Sequence, residues 1–312
     1  MWLSGVRRYW LILDYEKLKH KTMKRKKIRV YDYCIERAEE LQKQGRKNTS
    51  TKYKGYGDKF KQYFGDMALQ DLNRGVIIDW KDKMLADGLC RNTVNFYIRG
   101  LKAIYNRAVM LELIKDYKPF YMVSSATQKT IKRAITAQML RKVANYGCGS
   151  KKPLETARDM FMLSFYLRGM SPIDMQRLTT ENIKGNYIVY KRSKTSQELS
   201  IRIEKEAQAI FDKYKLSSWN NTLVPAQTKG EWDRINKALR TIGKEIGVPF
   251  PLTMYCARHT WATLSQQIGA PIEVISKGLG HDNVQTTAIY LAGIETPIVD
   301  KYNKTLIDKI LK

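Results

Sequence analysis

Three short segments in the last third of this 312-residue chain hold residue types that can attack a phosphate: Arg258-His259, Leu279-Gly280-His281 and Tyr290-Leu291. Two of the three histidines fall within them. Attack on a phosphodiester needs a nucleophile, an exit for its proton, cations on the charged oxygens and a proton for the departing alkoxide. A phenol can be the nucleophile, but its ordinary pKa of about 10 requires nearby cations to help it ionise. Guanidiniums suit phosphate oxygens because each offers two parallel N–H donors matched to one phosphate edge. Such preorganised donors often contribute most to rate. The candidates are Tyr290 as nucleophile, Arg168 and Arg258 on the oxygens with His281 beside them, and Lys194 as general acid to the leaving 5′ oxygen.

Local elements must bring these residues together. The spacing from His281 to Tyr290 suits a histidine at a helix start and a tyrosine at the end of the next short helix. Thr253 to Ile268 predicts a helix stopped by Gly269, and Pro271 begins another that ends at Gly280. Ala157 to Leu167 is an apolar helix leading to Arg168. Tyr187 to Tyr190 and Leu199 to Ile203 alternate as strands, and Arg192-Ser193-Lys194-Thr195-Ser196 turns between them, so Lys194 sits at a hairpin tip. Thr136 is the expected N-cap of the helix that opens this half. Thr296-Pro297 starts a last helix with Pro at its first position. Its stripe of Ile298, Val299, Tyr302, Leu306 and Ile310 either covers the protein's own core or docks on a neighbouring subunit.

The first half is patterned differently. Residues 1–28 end in a basic run, read either as a solvated arm or as one that lies along DNA phosphates. Residues 29–115 are helical: Ile35, Ala38 and Leu41 mark one helix, and Asn48 to Ser50 cap the next. Asn92-Thr93 open a third, with Val94, Ile98, Leu101, Ile104, Tyr105 and Ala108 on one face. Arg91, Arg99, Lys102 and Arg107 fall on its other side, as DNA contacts or as an ordinary solvated face. Residues 116–133 read as a linker and 134–312 as the domain that carries the chemistry.

Net charge is +26 with a pI near 9.8, which implies a polyanionic partner, because each Lys or Arg set against a phosphate releases condensed counterions. Charge alone reaches nucleic acid and nothing narrower. The four cysteines are scattered without CxxC pairs, the pattern of reduced thiols in a cytosolic protein. No His/Cys/Asp cluster has metal-ligand spacing, and there is no P-loop or GxGxxG, so neither metal nor cofactor is expected. No apolar run approaches a membrane span of about 20 residues. The first residues lack a small-residue cleavage site and read as non-secretory.

With these residues in place the chain resembles the tyrosine recombinase (phage integrase) family, of the bacterial mobile-element type. The matching segments are Phe165-Tyr166-Leu167-Arg168-Gly169 with Asp174 downstream, Arg192-Ser193-Lys194-Thr195, Tyr255-Cys256-Ala257-Arg258-His259, Leu279-Gly280-His281 and Ala288-Ile289-Tyr290-Leu291. The resemblance spans roughly residues 30 to 295. It implies a mainly α fold with a small β-sheet or hairpin: a helical core-binding (SAM-like) domain and a mixed α/β catalytic domain that clamp a DNA duplex. It also implies a 3′-phosphotyrosyl intermediate and strand exchange by a homotetramer on two double-stranded DNA sites, with accessory DNA-bending proteins as possible partners. The covalent link conserves the energy of the broken bond, so no ATP is needed.

Two positions depart from the family pattern. Tyr255 stands where most members have histidine, which leaves the general base open. Asp174 lies farther from Arg168 than usual and is expected to support the arginine cluster.

Taken singly, each of these residues has an ordinary structural role; the ordered set on a DNA-binding charge favours catalysis. A type IB topoisomerase, a regulator that has lost catalysis and a basic structural protein are the alternatives. Residues 1–28 are too few for a folded arm-binding domain, which favours inversion, resolution or a small mobile element. The site of action is expected to be the cytoplasm, at the nucleoid.

Overall fold

Among the described residues, apolar positions recurring every three or four residues give way to a two-residue alternation between Ile183 and Arg202, and the secondary structure follows that change. The computed structural model describes residues 27–126, 133–215 and 221–281. The chain divides into two units, Met1–Thr130 and Ile131–Lys312. Most of the basic arm, part of the expected linker, Tyr290 and the expected last helix lie outside the described residues.

In the first unit, α1 (Val30–Lys43), α2 (Lys47–Phe64), α3 (Arg74–Ala86) and α4 (Arg91–Met110) surround a core that includes Phe60, Ile77, Trp80, Met84, Ile98, Leu101 and Ile104. Trp80 meets Phe60 edge to face with ring centroids 5.2 Å apart, a geometry set by the quadrupoles of the two rings. The sequence reading names no counterpart of α3. Its buried residues Ile77, Trp80 and Met84 keep helical spacing, but Ile78 beside them is 40% exposed and blurs the stripe. Asn73 caps α3 by accepting the Val76 N–H at 3.1 Å.

Two expected caps differ. The helix expected to be capped by Asn48 to Ser50 starts earlier, at Lys47, and the Thr49 and Ser50 amides donate to the Arg46 carbonyl. Those residues are already inside the first turn. Likewise α4 starts at Arg91, with Cys90 as its cap residue and the Cys90 sulfur 3.1 Å from the Thr93 hydroxyl.

Residues 116–126, expected as linker, pack on the first unit. Phe120 is buried, the Tyr117 amide donates to the Tyr105 hydroxyl at 2.8 Å, and Asn95 donates to the Ala126 carbonyl at 2.6 Å.

The second unit opens with α5 (Ala137–Ala144), capped by Thr136, whose hydroxyl accepts the Met139 amide at 3.2 Å. At its centre is α6 (Lys152–Tyr166), buried through Met160, Phe161 and Leu163. The short α7 (Pro172–Met175) leads to an antiparallel sheet of β1 (Ile183–Lys184), β2 (Tyr187–Lys191) and β3 (Glu198–Arg202) in the order β1-β2-β3. Ile188 and Tyr190 of β2 and Leu199 and Ile201 of β3 point inward. After the sheet come α8 (Lys205–Lys215), α9 (Lys229–Glu245), α10 (Met254–Gln267) and α11 (Ile272–Leu279). Helices α8, α9 and α10 pack on α6. Lys213 and Tyr214 of α8 donate to the buried Asp159 of α6 at 2.5 and 3.1 Å, which satisfies a carboxylate that would otherwise be costly to bury. No helix among the described residues is long and apolar enough to cross a membrane.

Candidate active site

Two helix ends and one hairpin build the site. At the end of α6 the Arg168 amide donates to the Phe165 carbonyl at 3.1 Å, and the Gly169 amide donates to the Ser164 carbonyl at 2.7 Å. These are the paired bonds of a Schellman cap, in which the first residue past the helix takes a left-handed backbone. Glycine is usual there. Here Arg168 occupies the position at φ +58°, a conformation that costs a non-glycine residue about 1–2 kcal/mol. The residue is half-buried, and its charge acts on the buried Tyr190 phenol of β2.

Gly169 follows at φ +72°, and a Cβ there would lie 2.6 Å from the Arg258 Cα. The absence of a side chain lets α10 close on the end of α6. Arg258, only 7% exposed, donates from Nη1 to the Gly169 carbonyl at 2.9 Å and from Nη2 to the Leu279 carbonyl at 2.6 Å. Its guanidinium is thus oriented by the ends of two different helices.

The end of α11 repeats the cap. Gly280 takes φ +63°, its amide donates to the Lys277 carbonyl, and the His281 amide donates to the Ser276 carbonyl, both at 3.0 Å. His281 follows that helix end, and the helix expected to start at it lies outside the described residues. Its Nε2 lies 3.0 Å from Arg258 Nη2. A guanidinium has only donors, so Nε2 accepts and the ring proton sits on Nδ1. Burial first, then the charges of Arg258, Arg192 and Lys194, push the His281 pKa down from 6.5 to about 4. The imidazole is neutral at pH 7.

Lys194 is exposed in the β2–β3 turn. Asp174, 3% exposed, does not bond the arginine cluster it was expected to support. Its Oδ1 accepts the Ser193 amide at 2.8 Å and its Oδ2 accepts the Ser171 hydroxyl at 2.6 Å, so it anchors the hairpin beside Lys194 to the start of α7. Tyr255 lies one turn before Arg258 on α10 and is 52% exposed. Its ring meets that of the buried His259 edge to face at 4.3 Å.

Sequence reasoning missed two residues. Tyr190 is buried beside the cluster; burial and then Asp174 push its phenol up, against the opposing pull of Arg258, Arg192 and Arg168. Its inward phase on β2 was the available signal. Arg192 is 8% exposed and donates from Nη1 to the Gly280 carbonyl. Nothing in the sequence distinguishes it from the other arginines.

In the first unit Arg91, Arg99 and Lys102 are exposed on α4, and Arg99 Nη1 donates to the Ser125 carbonyl at 2.6 Å. Arg107 is half-buried, with Nη2 3.1 Å from Glu40 Oε2, a carboxylate shared with Arg37.

Residues 129–295 match the phage integrase family, and residues 29–123 match the phage integrase SAM-like domain. The tyrosine recombinase XerD of Halalkalibacterium halodurans is 22% identical over 285 residues, covering 84% of this chain and 93% of that protein. The tyrosine recombinase XerA of Pyrococcus horikoshii is 22% identical over 289 residues, covering 89% and 93%. Among solved structures, the Tn1549 transposon integrase in complex with circular intermediate DNA superposes with a TM-score of 0.70 at 16% identity, covering 88% of this chain and 99% of that one. A lambda integrase tetramer bound to a Holliday junction gives 0.69 at 16% identity, covering 89% and 82%.

Proposed function

The chain belongs to the phage integrase family and is a tyrosine-type site-specific DNA recombinase; from that premise we propose that Tyr290 is its nucleophile and that Arg168, Lys194, Tyr255, Arg258 and His281 complete the reaction centre. The observation that carries this reading is the orientation of Arg258 by Gly169, Leu279 and His281, which fixes a buried guanidinium beside the histidine and between the ends of α6 and α11.

Arg168 and Arg258 neutralise the non-bridging oxygens. The Tyr290 oxygen forms a bond to phosphorus as the bond to the 5′ oxygen breaks, and Lys194 gives that oxygen its proton. The products are a 3′-phosphotyrosyl enzyme and a free 5′ hydroxyl. Attack by a 5′ hydroxyl from the partner duplex reverses the step and restores the phenol. Tyr255 donates a hydrogen bond to a phosphate oxygen, and the attacking phenol loses its proton to water or to the scissile phosphate. His281 contributes as a neutral N–H donor, in keeping with its lowered pKa.

Arg91, Arg99 and Lys102 contact DNA phosphates from the helical domain at residues 29–115. The working assembly is a homotetramer on two DNA sites that exchanges strands through a four-way junction, aided by DNA-bending proteins, in the cytoplasm at the nucleoid. Among the described residues, no contact of the site favours a topoisomerase or a regulator without catalysis.

Covalent trapping tests the reading. Wild-type and Tyr290→Phe protein are incubated with nicked DNA from the flanks of the protein's own gene and resolved on denaturing gels. A protein–DNA adduct that Tyr290→Phe abolishes is expected; an adduct that survives the substitution assigns the nucleophile elsewhere.

A further inference from the structure

The hairpin that presents Lys194 and the loop that presents His281 come from distant parts of the chain, yet one buried side chain joins them. Arg192 closes the hairpin with its backbone: its amide donates to the Gln197 carbonyl and its carbonyl accepts the Ser196 amide, both at 2.8 Å. Its side chain runs the other way, to the Gly280 carbonyl. The packing is close, because a Cβ on Gly280 would stand 3.2 Å from Arg192 Cδ and 2.7 Å from Leu199 Cδ1. Gly280 is the left-handed residue whose cap directs His281 into the site.

We propose that Arg192 is a positioning residue that locks the Lys194 hairpin to the His281 loop, so that the general acid and the neutral N–H donor are held as one unit. This rests on the roles given above to Lys194 and His281. On the hairpin's other side, Asp174 grips the Ser193 amide, so the segment is braced from both α7 and the end of α11. Lys194 is the exposed tip of that braced segment.

An arginine suits the task because its long planar fork reaches a carbonyl across the hairpin base while the stem fills the space beside Gly280. It also places a permanent charge next to His281. Among the described residues, Arg258 from α10 and Arg192 and Lys194 from the hairpin bring cations to His281 and, after burial, disfavour the imidazolium. Because Arg192 is buried, its loss affects the chemical step and leaves duplex affinity intact.

The test uses the full-length chain and two substitutions. Arg192→Gln removes the charge, whereas Arg192→Lys keeps a cation but loses the fork. Three readouts are taken: single-turnover adduct formation on nicked DNA, DNA affinity at fixed salt, and NMR titration of the three histidines.

For Arg192→Gln the expected result is a drop in adduct rate of about tenfold or more with DNA affinity unchanged, and a His281 titration that moves up from about 4 toward 6.5. For Arg192→Lys it is a slowed adduct rate while His281 still titrates low. Wild-type rates in both variants overturn the proposal, as does a loss of DNA affinity equal to the loss of rate. If Arg192→Gln does not fold, the Lys variant and the wild-type titration decide, and a wild-type His281 that titrates near 6.5 counts against the coupling. A wild-type protein that forms no Tyr290-dependent adduct sinks the assigned catalytic roles instead, while the titration still reports on the link between Arg192 and His281.

Discussion

Arg258 and His281 share a hydrogen bond of 3.0 Å in which the guanidinium can only donate, so this contact sets the tautomer of the histidine, while burial and then the cations around it keep the ring neutral. Neither side chain would be ordered this way by its own helix. Arg258 stands on α10, His281 follows α11, and the Leu279 carbonyl between them accepts from the same guanidinium at 2.6 Å.

The lowered pKa makes stability depend on pH. The folded value of about 4 lies below the ordinary 6.5, so the unfolded chain binds this proton more readily than the folded one. The contribution is complete above pH 6.5 and is lost as pH falls through that window toward 4. Urea midpoints of wild type and His281→Asn, taken between pH 7 and about 4, are expected to fall more steeply for the wild type. Parallel curves would show that His281 does not carry the shift.

Arg168 holds a left-handed backbone that glycine adopts without cost. Arg168→Gly is therefore expected to stabilise the second unit by up to about 1 kcal/mol while abolishing cleavage. Thermal melts and adduct assays measured side by side check this. A variant that melts lower than wild type would remove strain from the account.

Lys194 as general acid predicts a chemical rescue. Lys194→Met should slow adduct formation by about 10²-fold or more on ordinary DNA. It should cleave nearly as fast as wild type when sulfur replaces the leaving 5′ oxygen, since a thiolate departs without a proton. Asp174→Ala should show a weaker form of the same pattern, because it leaves the Ser193 amide without its buried acceptor and loosens the hairpin. Equal defects on both substrates would remove Lys194 from the leaving-group side.

The arginines of α4 should separate by experiment. Arg99→Ala is expected to reduce the salt dependence of DNA binding by about one counterion and leave folding intact. Arg107→Ala should instead lower the urea midpoint, because Glu40 would keep a half-buried carboxylate with one partner fewer. A salt slope lowered by Arg107→Ala and untouched by Arg99→Ala would reverse the two assignments.

Much of this protein was legible from residue order. Apolar patterning located α6 and both long strands, and the start and stop signals Gly269, Pro271 and Gly280 located α10 and α11, because both kinds of signal are local properties of one element. The charge pointed to a polyanion, and the ordered Arg168, Lys194, Arg258, His281 and Tyr290 pointed to phosphoryl chemistry on the same grounds of residue type. What tertiary structure decided is whatever depends on segments meeting. The sequence named Asp174 as support for the arginines, but the fold turns it onto the hairpin amide of Ser193. It left Arg192 among many arginines, although that side chain reaches Gly280. It read 116–133 as linker, while residues 116–126 lie on the first unit because Phe120 is buried in that unit's core. A periodic pattern records which face of an element is buried. Which partner that face or a polar side chain meets is set by distant backbone groups, and no local spacing carries that information.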